Sequence, residues 1–274
     1  MDKTLAHGIQ LNMSTDESKK LLKRHVNRKT NLVIMTIDVN NSTEMSITLQ
    51  EDRFALLIQT FAQEISIAVR GYGGYVYKYE GDAVIALFPG DHDKLKACNN
   101  ALNSATSILQ IIREIINPAF KENGLPEISV KMGLTYGYVL VLLYGGSLEK
   151  AHIDLIGSSI SLASKIVSIA RPNQVLIGES IYNIVMSPTY MNNSKFVEII
   201  LDPIKWKYLS RSDPDSMYTN IQKIIPRKRL IYLSERESKI PVFELTEKPP
   251  FSSTTVSLRQ VCYVLSSAEK KERP

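Results

Sequence analysis

Gly73-Gly74-Tyr75-Val76-Tyr77-Lys78-Tyr79-Glu80-Gly81-Asp82-Ala83-Val84-Ile85-Ala86-Leu87-Phe88 holds the punctuation on which the reading of the whole chain turns. Tyr75–Tyr79 and Ala83–Phe88 are short runs of aromatic and branched residues, the composition of strands. Glu80-Gly81-Asp82 between them leaves room only for a tight reversal, so the stretch predicts a β-hairpin. Upstream, Phe54, Leu57, Phe61, Ile65 and Ala68 recur at spacings of three and four, the repeat of one helical face. Gly71-Tyr72-Gly73-Gly74 ends that helix and permits the turn into the hairpin. Further upstream, Leu32–Val39 is an apolar run rich in branched residues, the pattern of a buried strand.

Downstream, Leu95, Cys98, Leu102, Ala105, Leu109, Ile112 and Ile116 form a second helical stripe. Ile128–Tyr136 and Tyr138–Leu143 read as a strand pair bent at Gly137. Ser158–Ala170 reads as a helix, Gln174–Gly178 as a strand and Ile181–Met186 as a short helix. Phe196–Leu201, Ile204–Leu209 and Ser216–Ile221 read as late strands. The order is strand, helix, hairpin, helix, strands, helix, strands. It predicts an α+β fold with a ferredoxin-like β-α-β-β-α-β core, extended by late strands and a helix, and excludes a doubly wound sheet.

The 274 residues have room for this unit and two flanks. The net charge of +5 is unevenly spread: 1–30 carry +4, 223–274 carry +5 and 31–222 carry −4. Residues 1–30 are read as a basic lead-in with a helix over Asp16–Lys29, capped by Thr15 or Ser14. Residues 223–274 are read as a basic, loosely structured tail in which Leu230–Leu233 and Val261–Leu265 have strand composition. Such flanks suit solvated ends, and no specific nucleic-acid partner is expected. No apolar run reaches the roughly 18–20 residues of a membrane helix, and Met1–Gln10 lacks the apolar core of a secretory signal. The two cysteines, Cys98 and Cys262, have no metal-ligand or disulfide spacing. A cytoplasmic setting is the expectation.

Two carboxylates stand out. Asp38 ends the first strand and Asp82 sits in the hairpin turn. In a strand–helix–hairpin unit the first strand lies beside the hairpin, so the two can meet at one sheet edge. Such a pair suits magnesium or manganese, which keep waters and accept phosphate oxygens as further ligands. The pair alone leaves three readings open: ordinary turn residues, a palm-type nucleotidyl enzyme, or another two-metal site.

In its sequence blocks the chain resembles the class III adenylate/guanylate cyclase catalytic domain over about Asn31–Gln222. Ile37-Asp38-Val39-Asn40-Asn41-Ser42-Thr43 is similar to that family's first metal motif, Asp-Ile-x-Gly-[Phe/Ser]-Thr. Gly73–Ala83 is similar to its Gly-Gly…Lys-x-x-Gly-Asp block. Met132–Gly137, Ile153–Gly157 and Leu162–Lys165 together resemble its Gly-Ile-x-x-Gly…Asp-x-x-Gly-x-x-[Val/Leu]-Asn-x-Ala-Ser-Arg block. The resemblance implies that Asp38, Asp82 and the carbonyl of Val39 bind two divalent metal ions, Mg or Mn. It implies that Lys78 and Asp154 read adenine. Lysine only donates and ionised aspartate only accepts, which complements the ring nitrogen and exocyclic amine of adenine. The expected reaction is attack of the ribose 3′-hydroxyl of ATP on its α-phosphorus, releasing pyrophosphate. In the family the pocket lies between two domains, and this chain carries both halves, so a homodimer is expected.

Three positions depart from the pattern. Ser161 stands where the family asparagine orients the ribose. Lys165 stands where the family arginine stabilises phosphate charge; it keeps the charge and loses the planar fork. Asn41 replaces a glycine, and asparagine is among the better substitutes at unusual backbone angles. Lys207 best matches a late phosphate-contacting lysine, without the glycines that usually follow. The departures at 161 and 165 leave a second implication open, a weakly active or inactive cyclase-fold domain serving as a regulatory or dimerisation module.

Overall fold

The computed structural model describes residues 15–145 and 151–185, and the backbone of four later strands at 196–200, 207–208, 219–220 and 229–233. Helix α1 (Asp16–Lys23) leads into β1 (Lys29–Val39), α2 (Ser42–Thr48) and α3 (Glu51–Gly71). The hairpin β2 (Tyr75–Glu80) and β3 (Ala83–Pro89) precedes α4 (Lys94–Ile111), a π-helical turn at Ile112–Ile116 and α5 (Asn117–Glu122). Then follow β4 (Val130–Tyr144), β5 (His152–Ile156), α6 (Ser158–Ile169), β6 (Gln174–Gly178) and α7 (Glu179–Val185). The later strands are β7 (Phe196–Ile200), β8 (Lys207–Tyr208), β9 (Thr219–Asn220) and β10 (Arg229–Leu233).

The main sheet runs β2-β3-β1-β4-β6-β10-β7, with β5 also paired to β4. Its first four strands are antiparallel neighbours in the ferredoxin-like order, as the element order implied. Strand alternation sorts β1 into two faces. Val33, Met35, Ile37 and Val39 join the core under α3 and α4, while Leu32 and Ile34 join a second core with Leu22 of α1, Leu155 of β5 and Ala163 of α6. Asp38 shares the parity of Leu32 and Ile34 and belongs to this second face.

Several expectations change. Residues 128–143 are not a bent pair: β4 runs through Gly137 as one strand, its first part paired with β1 and its end with β5. Gly137 is there for space, because a Cβ would collide with the Ser159 side chain at the start of α6. The expected helix over Asp16–Lys29 stops at Lys23, and Thr15 occupies the cap position without a side-chain bond. Asn27 takes a left-handed φ of 57°, and Val26 bridges to Val141 instead. Leu230–Leu233 falls in β10, inserted between β6 and β7, so the sheet continues past residue 222. Val261–Leu265 and Cys262 lie outside the described residues, and Cys98 is a buried free thiol.

Asp91, just after β3, ties this edge together. Its carboxylate accepts from the Thr30 hydroxyl (2.6 Å), the Asn31 backbone N–H (2.7 Å) and the Asn31 side-chain amide (3.1 Å). Burial pushes its pKa up, but these bonds and the nearby His25 outweigh that and hold it below the usual carboxylate range. A depressed pKa contributes stability above the unfolded value of about 3.9 that disappears as pH falls through the lower folded value. Thr30 is buried, so Asp91→Ala strands its hydroxyl. The variant is expected to lose about 1–3 kcal/mol at neutral pH. Chemical denaturation of both proteins checks this, with the gap narrowing below about pH 4.

Candidate active site

Asp38 and Asp82 meet at one edge of the second face. Asp38 sits opposite Ala83 in the β1–β3 ladder, which sets it beside the turn that carries Asp82. Gly81 opens that turn at φ 62°, the left-handed position a two-residue hairpin needs. Burial raises the pKa of Asp38, and the negative charge of Asp82 raises it further; Lys131, 3.5 Å away, works in the opposite direction. Two carboxylates are therefore held together against their own repulsion. Asp38, Val39 and Asp82 line an open pocket of about 710 Å³, bordered by residues of α2 between Ser42 and Thr48. Asn41 enters α2 at φ 59°, ψ 25°, the left-handed region in which asparagine is well tolerated. Ile47 of α2 borders the cavity and is 79 % exposed.

Lys78 and Asp154 lie on β2 and β5 and feel each other's charge. The Lys78 ammonium is 2.8 Å from Glu80, whose hydrogen bond is the main cause of its raised pKa. Asp154 accepts from the Tyr77 hydroxyl (2.5 Å) and the Leu155 N–H (2.9 Å), both on Oδ1. Burial pushes its pKa up, but these bonds, with Lys78 and His152, overcome that and lower it.

Ser161 and Lys165 are one helical turn apart on the exposed face of α6. The helix lies close on β4 because Gly133 has no side chain: a Cβ there would stand 2.7 Å from the Ala163 carbonyl oxygen and the Val167 nitrogen. The Ser161 hydroxyl turns back to the Gly157 carbonyl at 3.4 Å. Lys207 falls in β8, which pairs with β9 in a separate ladder, and its side chain lies outside the described residues.

The chain thus brings Asp38, Val39 and Asp82 into one cavity, and Lys78 and Asp154 into one neighbourhood. It does not bring the groups together, since Lys78, Asp154, Ser161 and Lys165 do not line the carboxylate cavity. Two neighbours of the candidate residues escaped the sequence reading. Lys131 faces Asp38 across the β1–β4 ladder, a pairing with no local sequence signal. Tyr77 read as a strand aromatic, and only its contact with Asp154 gives it a role.

The profile of the adenylate and guanylate cyclase catalytic domain matches residues 25–202. A cytidylate cyclase of Escherichia coli is 24 % identical over 221 residues, covering 79 % of this chain and 47 % of that protein. Adenylate cyclase type 10 of Oryctolagus cuniculus is 27 % identical over 160 residues, covering 56 % of this chain and 10 % of that one. The chain thus spans less than half the length of these relatives. Among solved structures, the adenylyl cyclase CyaB from P. aeruginosa superposes with a TM-score of 0.58 at 19 % identity, covering 75 % of this chain and 93 % of that one, a likeness of fold. No helix among the described residues is long and apolar enough to cross a membrane. With its fold, its ordered sequence blocks and this profile match, the chain belongs to the adenylate and guanylate cyclase catalytic domain family.

Proposed function

We propose that residues 31–222, with β10 completing their sheet, form an adenylate cyclase that converts ATP to 3′,5′-cyclic AMP and pyrophosphate. The observation that supports an amino base such as adenine over a keto base is the Lys78–Asp154 pair, a donor beside an acceptor. Adenine offers the matching acceptor and donor on one edge, and guanine offers the reverse.

Asp38, Asp82 and the Val39 carbonyl are the proposed ligands of two divalent cations, Mg or Mn. The fit rests on two crowded carboxylates, one with its pKa raised by burial and by the other's charge. When bound, such ions acidify an attacking hydroxyl and offset phosphate charge. Lys165 is assigned the charge on the transferring phosphate, Ser161 the ribose and Lys207 the triphosphate. With these in place the chain's own contribution is positioning and electrostatics.

The separation of the two residue groups in one chain supports a homodimer in which each site takes its carboxylates from one protomer and Lys78, Asp154, Ser161 and Lys165 from the other. Mixing two inactive variants, Asp82→Ala and Lys165→Ala, is then expected to restore about a quarter of wild-type activity. Half of the random dimers carry one intact site of two. A mixture as inactive as its components overturns the shared site. A weakly active regulatory domain is the second reading. It is favoured by the Ser161 hydroxyl, which is directed at its own helix backbone.

A further inference from the structure

We infer that Tyr77 is a positioning residue that makes the site select bases with an exocyclic amine, adenine and cytosine, over those with a carbonyl there, guanine and uracil. This rests on the proposed reading of Lys78 and Asp154 as the base-contacting pair and extends it.

In a regular strand Tyr77 and Lys78 would point to opposite faces. The β2–β3 register slips between them: Val76 faces Ala86 and Lys78 faces Ile85, two β2 steps against one on β3. A bulge of this kind re-aims a side chain. Tyr77 packs against the second core, and the bulge brings Lys78, opposite Ile85 of that core, to the same face. From there its hydroxyl reaches Asp154 on β5.

The bonding pattern fixes the direction of every proton. The Leu155 N–H lies 3.2 Å from the Tyr77 oxygen and can only donate to it. The single Tyr77 proton then goes to Asp154 Oδ1, which also receives the Leu155 N–H. Burial, and then Asp154 itself, raise the Tyr77 pKa, so the hydroxyl keeps its proton. Oδ1 is saturated and Oδ2 remains as the acceptor for a ligand. Hydrogen bonds to a carboxylate favour its ionised form, and an ionised carboxylate has no proton to offer a carbonyl.

Lys78 as donor and Asp154 as acceptor match adenine at N1 and the 6-amine. They match cytosine equally at N3 and the 4-amine. Guanine and uracil present N–H and C=O in those places and meet like against like. The pair therefore separates amino from keto bases, and only the size of the pocket separates adenine from cytosine. Without the Tyr77 hydroxyl, Asp154 loses a donor that orients its carboxylate.

The test uses the full chain with manganese and the 3′-deoxy forms of ATP, CTP, GTP and UTP, which lack the attacking hydroxyl. Calorimetry gives four dissociation constants each for wild type, Tyr77→Phe and Asp154→Asn. Wild type is expected to bind both amino analogues at least about tenfold more tightly than both keto analogues. Tyr77→Phe keeps the ring and its packing, and is expected to reduce that ratio about tenfold, the value of one hydrogen bond to a charged group. The keto affinities should change little. A ratio unchanged in Tyr77→Phe, an equal loss for all four ligands, or no amino preference in wild type overturns the inference. If Asp154→Asn also leaves the ratio intact, the base-reading assignment itself fails; if only Asp154→Asn collapses it, the failure is confined to Tyr77.

Discussion

Asp82→Ala is expected to lower cyclic nucleotide formation by roughly 10³-fold or more, the upper end of what loss of one preorganised charge-stabilising group costs, without lowering the stability of the fold. The two halves of this expectation have one cause. Asp82 stands in a two-residue turn whose backbone is set by Gly81, and an alanine fits there. Its charge helps raise the pKa of Asp38 in the folded protein. A raised carboxylate pKa means that the folded state holds that proton more tightly than the unfolded state, so stability falls as pH rises through the folded value. Removing Asp82 relieves the repulsion at neutral pH, leaving Lys131 as the charge partner of Asp38. Thermal melting should be unchanged or shifted upward as activity disappears, the trade expected where a site stores repulsion for function. Equal loss of activity and stability would instead make Asp82 a turn residue.

Lys165 carries the second large effect. Lys165→Ala is expected to lower kcat by roughly 10²–10³-fold with KM little changed, because the proposed contact forms on charge that develops during reaction. Lys165→Arg is expected to raise kcat above wild type, since the guanidinium offers phosphate a planar fork that an ammonium lacks. The residue lies on the exposed face of α6, and both replacements are good helix formers, so neither should disturb the fold. Steady-state kinetics of the two variants, with melting curves alongside, decide the matter. Unchanged turnover in Lys165→Ala would remove the residue from the reaction.

What was legible in the sequence had a local period or a local breaker. Of the stripe Phe54, Leu57, Phe61, Ile65 and Ala68, all but the half-buried Phe54 are fully buried in α3, and the hairpin turns where Gly81-Asp82 indicated. What escaped depends on partners distant in sequence. Gly137 reads as a bend, but the strand is straight in pairing and the glycine makes room for Ser159, a contact set by helix packing. The second stripe is buried at Cys98, Leu102, Ala105, Ile112 and Ile116, while Leu95 and Leu109 only border the core. Lys131 beside Asp38, and Tyr77 on the face of Lys78, follow from register and from a bulge, neither of which leaves a mark in the residues themselves. Asp38 and Asp82, by contrast, could be paired from the strand–helix–hairpin order alone.

The most direct test of the central claim is to incubate the purified protein with manganese and ATP and identify the products by mass spectrometry. The account expects 3′,5′-cyclic AMP and pyrophosphate in equal amounts. Intact ATP, or ADP and phosphate without any cyclic product, from a preparation shown to be dimeric, would contradict it and favour the regulatory reading.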